Sequence, residues 1–229
     1  MNKLLGLRCG IARQHASKLS RLRPQTQIPH VRLFSNIITS HFDHLDISFN
    51  DKNLPDMLLA NLANDDIKDR TAFVDGTSGA IITYGTLMEE TIAFSNGLIE
   101  MGIEKGDCVA IMAPTHLHYF TAFVGIALAG GFSTPINPAY TETEVKHQLD
   151  LTNPKLIITH AMCHDIVMNV SVERQIPVIS MGGGDKSCND TICIDDIISQ
   201  NSSTRPAINI HLDDTLTVPF SSGTSGQPK

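Results

Sequence analysis

The chain has 229 residues, 41% of them hydrophobic and 18% charged. That composition supports a sizeable core and excludes disorder over most of the length. Lys plus Arg number 17 against 24 Asp plus Glu, a formal charge of −7, which lacks the basic excess of a nucleic-acid-binding domain.

The net charge sums two unlike segments. Residues 1–40 contain Lys3, Arg8, Arg13, Lys18, Arg21, Arg23 and Arg32 and no acidic residue. Residues 41–229 hold the remaining 10 basic and all 24 acidic residues, a charge of −14. A basic, Ser-bearing, acid-free start is the composition of a mitochondrial transit peptide. Leu4, Leu5, Leu7, Ile11 and Leu19 interleave with Arg and Lys, as one apolar and one basic helical face require. Arg32-Leu33-Phe34-Ser35 resembles a matrix-protease site with Arg three positions before the cut. The expectation is a leader over residues 1–34, a linker over 35–49, a folded part over 50–229, and the mitochondrial matrix as the address. A plain basic tail, or mispredicted upstream sequence, is the competing reading. A secretory signal is disfavoured, because no unbroken apolar run of about seven residues follows Lys3.

From residue 50 the pattern alternates helical and strand-like runs. Asn53–Asn64 has helical spacing at Leu54, Met57, Leu58 and Leu62. Ala72–Asp75 and Ile81–Thr83 flank Gly76-Thr77-Ser78-Gly79 and read as a hairpin. Thr83 caps a helix over Tyr84–Met101 that Gly102 stops. Cys108–Ala113 is a buried strand, and His116–Ala129 a nearly all-apolar helix. Phe132–Ile136 is the next strand. Thr141 and Glu144 form a capping box for a helix to Thr152. Leu156–Thr159, Ile176–Met181 and Leu216–Phe220 read as strands, Cys163–Glu173 and Ile194–Ser199 as helices, and Gly182–Asp190 as a polar loop.

This alternation predicts an α/β fold, a parallel sheet with helices on both faces. Ligands of such sheets bind beyond the carboxyl ends of the strands. The most apolar stretch, Phe120–Phe132, falls short of the roughly 20 residues a membrane span needs.

Several clusters read as structure rather than chemistry. Cys9, Cys108, Cys163, Cys188 and Cys193 lack the dense spacing of a disulfide framework. His160, Cys163 and His164 lack a second ligand pair at zinc spacing. His116 and His118 read as a packing pair at a helix start, and Tyr119, Phe120 and Phe123 as core. The acid pairs Asp65-Asp66, Glu89-Glu90, Asp195-Asp196 and Asp213-Asp214 read as solvated faces, since adjacent residues do not face each other on a helix. Gly182-Gly183-Gly184 reads as a connector, and no residue is assigned a catalytic role.

The last residues, Ser221-Ser222-Gly223-Thr224-Ser225-Gly226-Gln227-Pro228-Lys229, suit a triphosphate. Hydroxyl groups flank Gly223, the two glycines let backbone N–H groups approach phosphate, and Lys229 adds a positive charge. The spacing is not that of a Walker A loop. Composition alone would also fit a flexible Ser/Gly loop.

Phe220–Lys229 closely resembles the signature loop of the adenylate-forming superfamily, with Ser225 where Thr is usual. Gly102–Ala110, Ala113-Pro114-Thr115, Phe123, Gly125, Ala129-Gly130-Gly131, Pro135–Pro138 and Tyr140-Thr141 resemble that family's N-terminal region, in its order. The 4-coumarate/fatty acyl-CoA ligase branch is the nearest in character. The resemblance covers about residues 50–229. It implies the layered parallel-sheet subdomain of the family's N-terminal domain, truncated. It also implies ATP, Mg²⁺ and CoA as cofactors and a small carboxylic acid as substrate. Ser221, Ser222, Gly223, Thr224, Ser225, Gly226 and Lys229 would contact ATP, with Thr224 also near Mg²⁺. The family's acyl pocket, adenine and ribose contacts and catalytic lysine lie downstream of this loop. The expectation is therefore an N-terminal fragment of an acyl-CoA synthetase, inactive as 229 residues. The alternative is a non-catalytic short isoform that binds a nucleotide or a partner.

Overall fold

The computed structural model describes residues 52–182 and 191–221. The expected leader and linker lie outside the described residues, as do Gly183, Gly184 and Ser222–Lys229. The described elements run α1 (Leu54–Leu62), β1 (Thr71–Val74), β2 (Ile81–Thr83), α2 (Tyr84–Glu100), β3 (Cys108–Met112), α3 (Tyr119–Leu128), β4 (Phe132–Ile136) and α4 (Glu142–Thr152). They continue with β5 (Leu156–Thr159), a 3₁₀ turn (Ala161–Cys163), α5 (His164–Arg174), β6 (Val178–Ser180), β7 (Ile192–Cys193) and α6 (Ile194–Gln200).

The main sheet has five strands in the order β4-β3-β5-β6-β7, and every adjacent pair is parallel. Strand side chains alternate, so each strand feeds two cores. Val109, Ile111, Leu156, Ile158 and Ile179 face a core built with Phe94 and Leu98 of α2, Ala122 and Ile126 of α3, and Ile194 and Ile197 of α6. Ala110, Met112, Ile157 and Val178 face the opposite core, with Val145 and Leu149 of α4 and Val167 and Val170 of α5. All five residues of β3 are buried, which is why its sequence is apolar throughout rather than alternating. The expected α/β sheet with helices on both faces is present. The hairpin β1–β2 stands apart as a two-stranded antiparallel sheet.

Helix starts follow their local chemistry. Asn53 Oδ1 accepts from the Asp56 N–H (2.9 Å) at α1, and Thr83 Oγ1 from the Thr86 N–H (3.2 Å) at α2. At α4 the Glu144 carboxylate accepts from both the N–H (2.8 Å) and the hydroxyl (2.7 Å) of Thr141. Asn153 ends α4 in the left-handed region, φ 44°.

Three expectations need correction. The apolar helix begins at Tyr119, not His116, because His116 to His118 form a turn in which the Tyr119 N–H bonds to the His116 carbonyl (3.0 Å). No strand is expected between Asp190 and α6, and an edge strand, β7, only two residues long, is present there. Leu216–Phe220 is not a full strand. It makes one parallel bridge, Thr217 to Ser133. The Ser133 N–H bonds to Leu216 O (3.1 Å), and the Val218 N–H bonds to Ser133 O (2.8 Å). The next donor on that edge of β4 would be residue 135, which is proline and has no N–H, so the ladder stops. Side chains replace it: Thr134 Oγ1 donates to Val218 O (3.0 Å).

Ile111 lies in the central strand with no exposed surface. Ile111→Ala is expected to cost about 2–5 kcal/mol through lost burial and a residual cavity. The shift of the urea midpoint at constant slope measures it.

Candidate functional site

The segment 216–221 runs in the same direction as β4, so the chain leaves it toward the carboxyl end of the sheet. That is the end at which ligands of parallel sheets bind. The attachment is tied from both sides. Ser133 Oγ meets Thr217 Oγ1 (3.0 Å), and buried Gln148 of α4 donates to Thr134 Oγ1 (2.8 Å) and Pro135 O (3.0 Å). Ser221 is described at the end of this segment. Ser222, Gly223, Thr224, Ser225, Gly226 and Lys229 lie outside the described residues.

Upstream, Lys105 bonds to Asn209 O (2.8 Å) and pairs with Asp214 (2.7 Å), and Arg205 pairs with Asp56. These contacts hold residues 201–215 across the body before they reach β4. Hydrogen bonding to Lys105 holds the Asp214 carboxyl below its usual range.

A cleft of about 800 Å³ opens at the carboxyl ends of β3 and β4. Its walls are the turn after β3 (Ala113–Leu117), the start of α3 (Tyr119, Phe120), Pro138, and the hairpin (Phe73–Thr77). The lining is mixed, apolar at Phe73, Leu117 and Phe120 and polar at Asp75, Thr77 and His116. Tyr119 and Phe120, expected as core, thus also face this cleft, whereas Phe123 packs against the core of Phe94 and Ile126 and against a further apolar cluster that includes Leu59, Ile82, Leu87 and Val124. Phe73, Val74 and Ile81 of the hairpin are exposed.

Three imidazoles cluster at the His116 side of the cleft. The His116 ring lies 5.5 Å from that of His118 and 5.4 Å from that of His160. His116 Nδ1 accepts from the His118 backbone N–H (3.2 Å). Burial, then the neighbouring His118 and His160, hold His116 below the ordinary histidine range. Gly182, φ +70°, is pressed against this ring; a Cβ there would lie 2.3 Å from His116 Nε2. Gly182 is therefore required for close approach and for its backbone conformation, in addition to connecting.

His118 faces two carboxylates. Its Nε2 lies 3.2 Å from Asp195 Oδ1 and its Nδ1 3.7 Å from Glu90 Oε2. Glu90 is not the solvated acid expected from Glu89-Glu90. Its side chain is only 21% exposed, and burial pushes its carboxyl up, against the opposing pull of His118. The sequence did carry a signal for this. Glu90 follows Leu87 by three positions and precedes Phe94 by four, on the stripe that packs inward. Asp195 and His160 come from other elements, and nothing in the spacing links them to it.

Burial pushes the Cys108 thiol up to about 11 and raises Cys163, so neither carries a reactive thiolate near neutral pH. Among the described residues no group of His, Cys, Asp or Glu is arranged to hold a metal ion, and no helix is long and apolar enough to cross a membrane.

The fold and the position of segment 216–221 define an α/β domain in which that segment runs beside β4 toward the carboxyl end of a parallel sheet. The sequence profile of the family described as AMP-binding enzyme matches residues 62–229, and the chain belongs to that family. It is 32% identical over 163 residues to 4-coumarate–CoA ligase 1 of Petroselinum crispum, covering 71% of this chain and 29% of that enzyme. It is 31% identical over 163 residues to 4-coumarate–CoA ligase of Vanilla planifolia, covering 70% and 29%. The chain thus spans 29% of the length of these curated relatives. Among solved structures, the anthranilate CoA ligase AuaEII in complex with anthranoyl-AMP has the same fold over 78% of this chain and 34% of its own, with TM-score 0.68 and 23% identity. A benzoate CoA ligase from Burkholderia xenovorans LB400 matches with TM-score 0.66 and 18% identity, over 78% of this chain and 33% of its own.

Gly182→Ala forces both the left-handed backbone and the His116 contact. A loss of about 1–3 kcal/mol is expected, read from the thermal midpoint, with His116→Ala in the same chain recovering the steric part.

Proposed function

We propose that the chain is the N-terminal part of an ATP-dependent carboxylate–CoA ligase. In that reading the carboxylate attacks the α-phosphorus of ATP, forms an acyl-adenylate and releases pyrophosphate. The thiol of CoA then displaces AMP. The observation that carries the reading is the loop Ser221–Lys229, attached through residues 216–218 to the edge of β4 in a chain that matches the AMP-binding family to its last residue.

The loop's chemistry suits the first step. Backbone N–H groups around Gly223 and Gly226, with the hydroxyls of Ser221, Ser222, Thr224 and Ser225, offer donors to phosphate oxygens. Lys229 supplies a fixed positive charge as pyrophosphate leaves. Mg²⁺, with the Thr224 hydroxyl among its ligands, would neutralise charge on the same oxygens. The substrate is a small carboxylic acid.

By the same reading the 229 residues alone do not catalyse, since they correspond to 29% of the relatives' length. The purified chain is expected to give no carboxylate-dependent ATP–pyrophosphate exchange. A longer product of the same gene is expected to give it, with Lys229→Ala reducing the rate about 10²-fold or more. Exchange by the 229-residue chain itself, or full activity of the longer Lys229→Ala protein, would refute the proposal.

The basic, acid-free start supports a mitochondrial matrix address. Residues 1–34 fused to a fluorescent protein are expected to direct it to mitochondria. Replacing the five arginines and two lysines of the leader by Gln is expected to leave it in the cytosol.

A further inference from the structure

Gln148 and Thr134 are polar side chains with no exposed surface. Gln148 Nε2 donates to Pro135 O (3.0 Å) and to Thr134 Oγ1 (2.8 Å). Pro135 O can only accept, so the nitrogen of the amide, not its oxygen, faces this edge. Thr134 Oγ1 therefore accepts from Gln148, and its single hydrogen is left for Val218 O (3.0 Å). A second hydroxyl chain has its direction fixed in the same way. Thr217 Oγ1 donates to Ser133 O (3.1 Å), so it accepts from Ser133 Oγ (3.0 Å). Gln148 Oε1 is buried and finds no partner among the described residues. An unmet buried acceptor is destabilising, so packing alone does not account for an amide here.

We propose that Gln148 and Thr134 are positioning residues for the loop Ser221–Lys229. Their target is Val218. Its N–H donates to Ser133 O (2.8 Å) and its carbonyl accepts from Thr134, so β4 holds both polar groups of its backbone. In a regular parallel ladder the donor to Val218 O would be the N–H of residue 135, which proline lacks. The Thr134 hydroxyl takes its place, and Gln148 keeps that hydroxyl turned toward the segment. Pro219 follows, which restricts Val218 to extended backbone and fixes its own φ near about −65°. The direction set at Val218 is thus passed through a stiff residue to Phe220 and Ser221, where the loop begins. Gln148 and Thr134 act through Val218, and neither is assigned a contact with substrate. The consequence for ATP rests on the ligase reading, whereas the attachment of Val218 does not.

Amide hydrogen exchange in the 229-residue chain tests the attachment. Thr134→Val keeps the shape and removes the donor. Protection of the Val218 N–H is expected to fall about fivefold, the scale of one neutral hydrogen bond, while the amides of β3 and β5 keep theirs. Thr134→Ser keeps the hydroxyl and is expected to keep the protection. Gln148→Glu leaves the Thr134 hydroxyl in place but gives it a carboxylate to donate to, so Val218 is expected to lose protection as in Thr134→Val. Gln148→Met, which is uncharged, is expected to show a smaller loss of about twofold, and it decides the role of Gln148 if the buried charge unfolds the chain. In the longer product of the same gene, Thr134→Val is expected to raise the KM for ATP in ATP–pyrophosphate exchange about fivefold, with the KM for the carboxylate unchanged and Thr134→Ser restoring the ATP value. A merely structural role would lower the active fraction and move neither KM. Wild-type protection of Val218 in Thr134→Val or in both Gln148 variants, or an ATP KM that does not move, would overturn the proposal. No exchange by the longer wild-type protein would count against the ligase reading instead, and the amide comparison would still decide the attachment.

Discussion

The two-sided burial of β3 is the constraint from which the rest of the domain follows. A strand that shows no side chain to water needs a hydrogen-bonded neighbour on each edge and a helix on each face. β4 and β5 supply the edges in parallel register, from Cys108–Phe132 to Met112–Ile136 on one side and Val109–Leu156 to Met112–Thr159 on the other. Parallel neighbours need crossovers, so α3 and α4 are compelled to lie over the sheet. The turn after β3 then sits at the carboxyl end, where the cleft opens.

The edge of β4 shows how far a strand can be weakened and still hold a segment. Pro135 removes the donor that a second bridge would need. What remains are the Ser133 backbone pair and hydroxyl contacts through Ser133, Thr134 and Thr217. Buried Gln148 makes these side chains part of the α4 packing rather than a free edge. The position of segment 216–221 therefore depends on polar side chains buried beneath the sheet edge, and a short ladder suffices to aim the chain toward the carboxyl end.

The elements that bury most were legible in the sequence. CVAIM, LIIT and FSTPI are read as strands by their apolar and β-branched content, and the structure has strands over those residues. Thr83, Thr141 and Asn153 mark helix ends through side-chain or left-handed capping, which acts locally and so leaves a local trace. β7 was not legible, because two residues carry no period and its existence depends on pairing with Ile179 and Ser180. The start of α3 was misread because a nearly all-apolar run does not mark where its helix begins, and a side-chain-to-backbone bond within His116–His118 decides the turn instead. The signature loop was legible as chemistry from its glycines, hydroxyls and lysine. The His118 site was not, since its members come from residues 90, 118 and 195 and meet only through the fold.

Close helix packing accounts for why a charge is buried there at all. α2 lies against both α3 and α6 at small residues: a Cβ on Gly125 would lie 2.8 Å from Phe94, and one on Gly97 2.1 Å from Ile197. Glycine at these positions lets the helices approach until Leu87, residues 91–95, Gly97 and Leu98 of α2 are buried. Glu90 lies one turn before Phe94, and only 21% of its side chain is exposed. A carboxylate in this place costs several kcal/mol unless a donor meets it. An aliphatic side chain of similar volume would pack there without that cost. Glu90 therefore occupies a costly place, opposite His118 and at a point where three helices meet, and burial pushes its carboxyl up there.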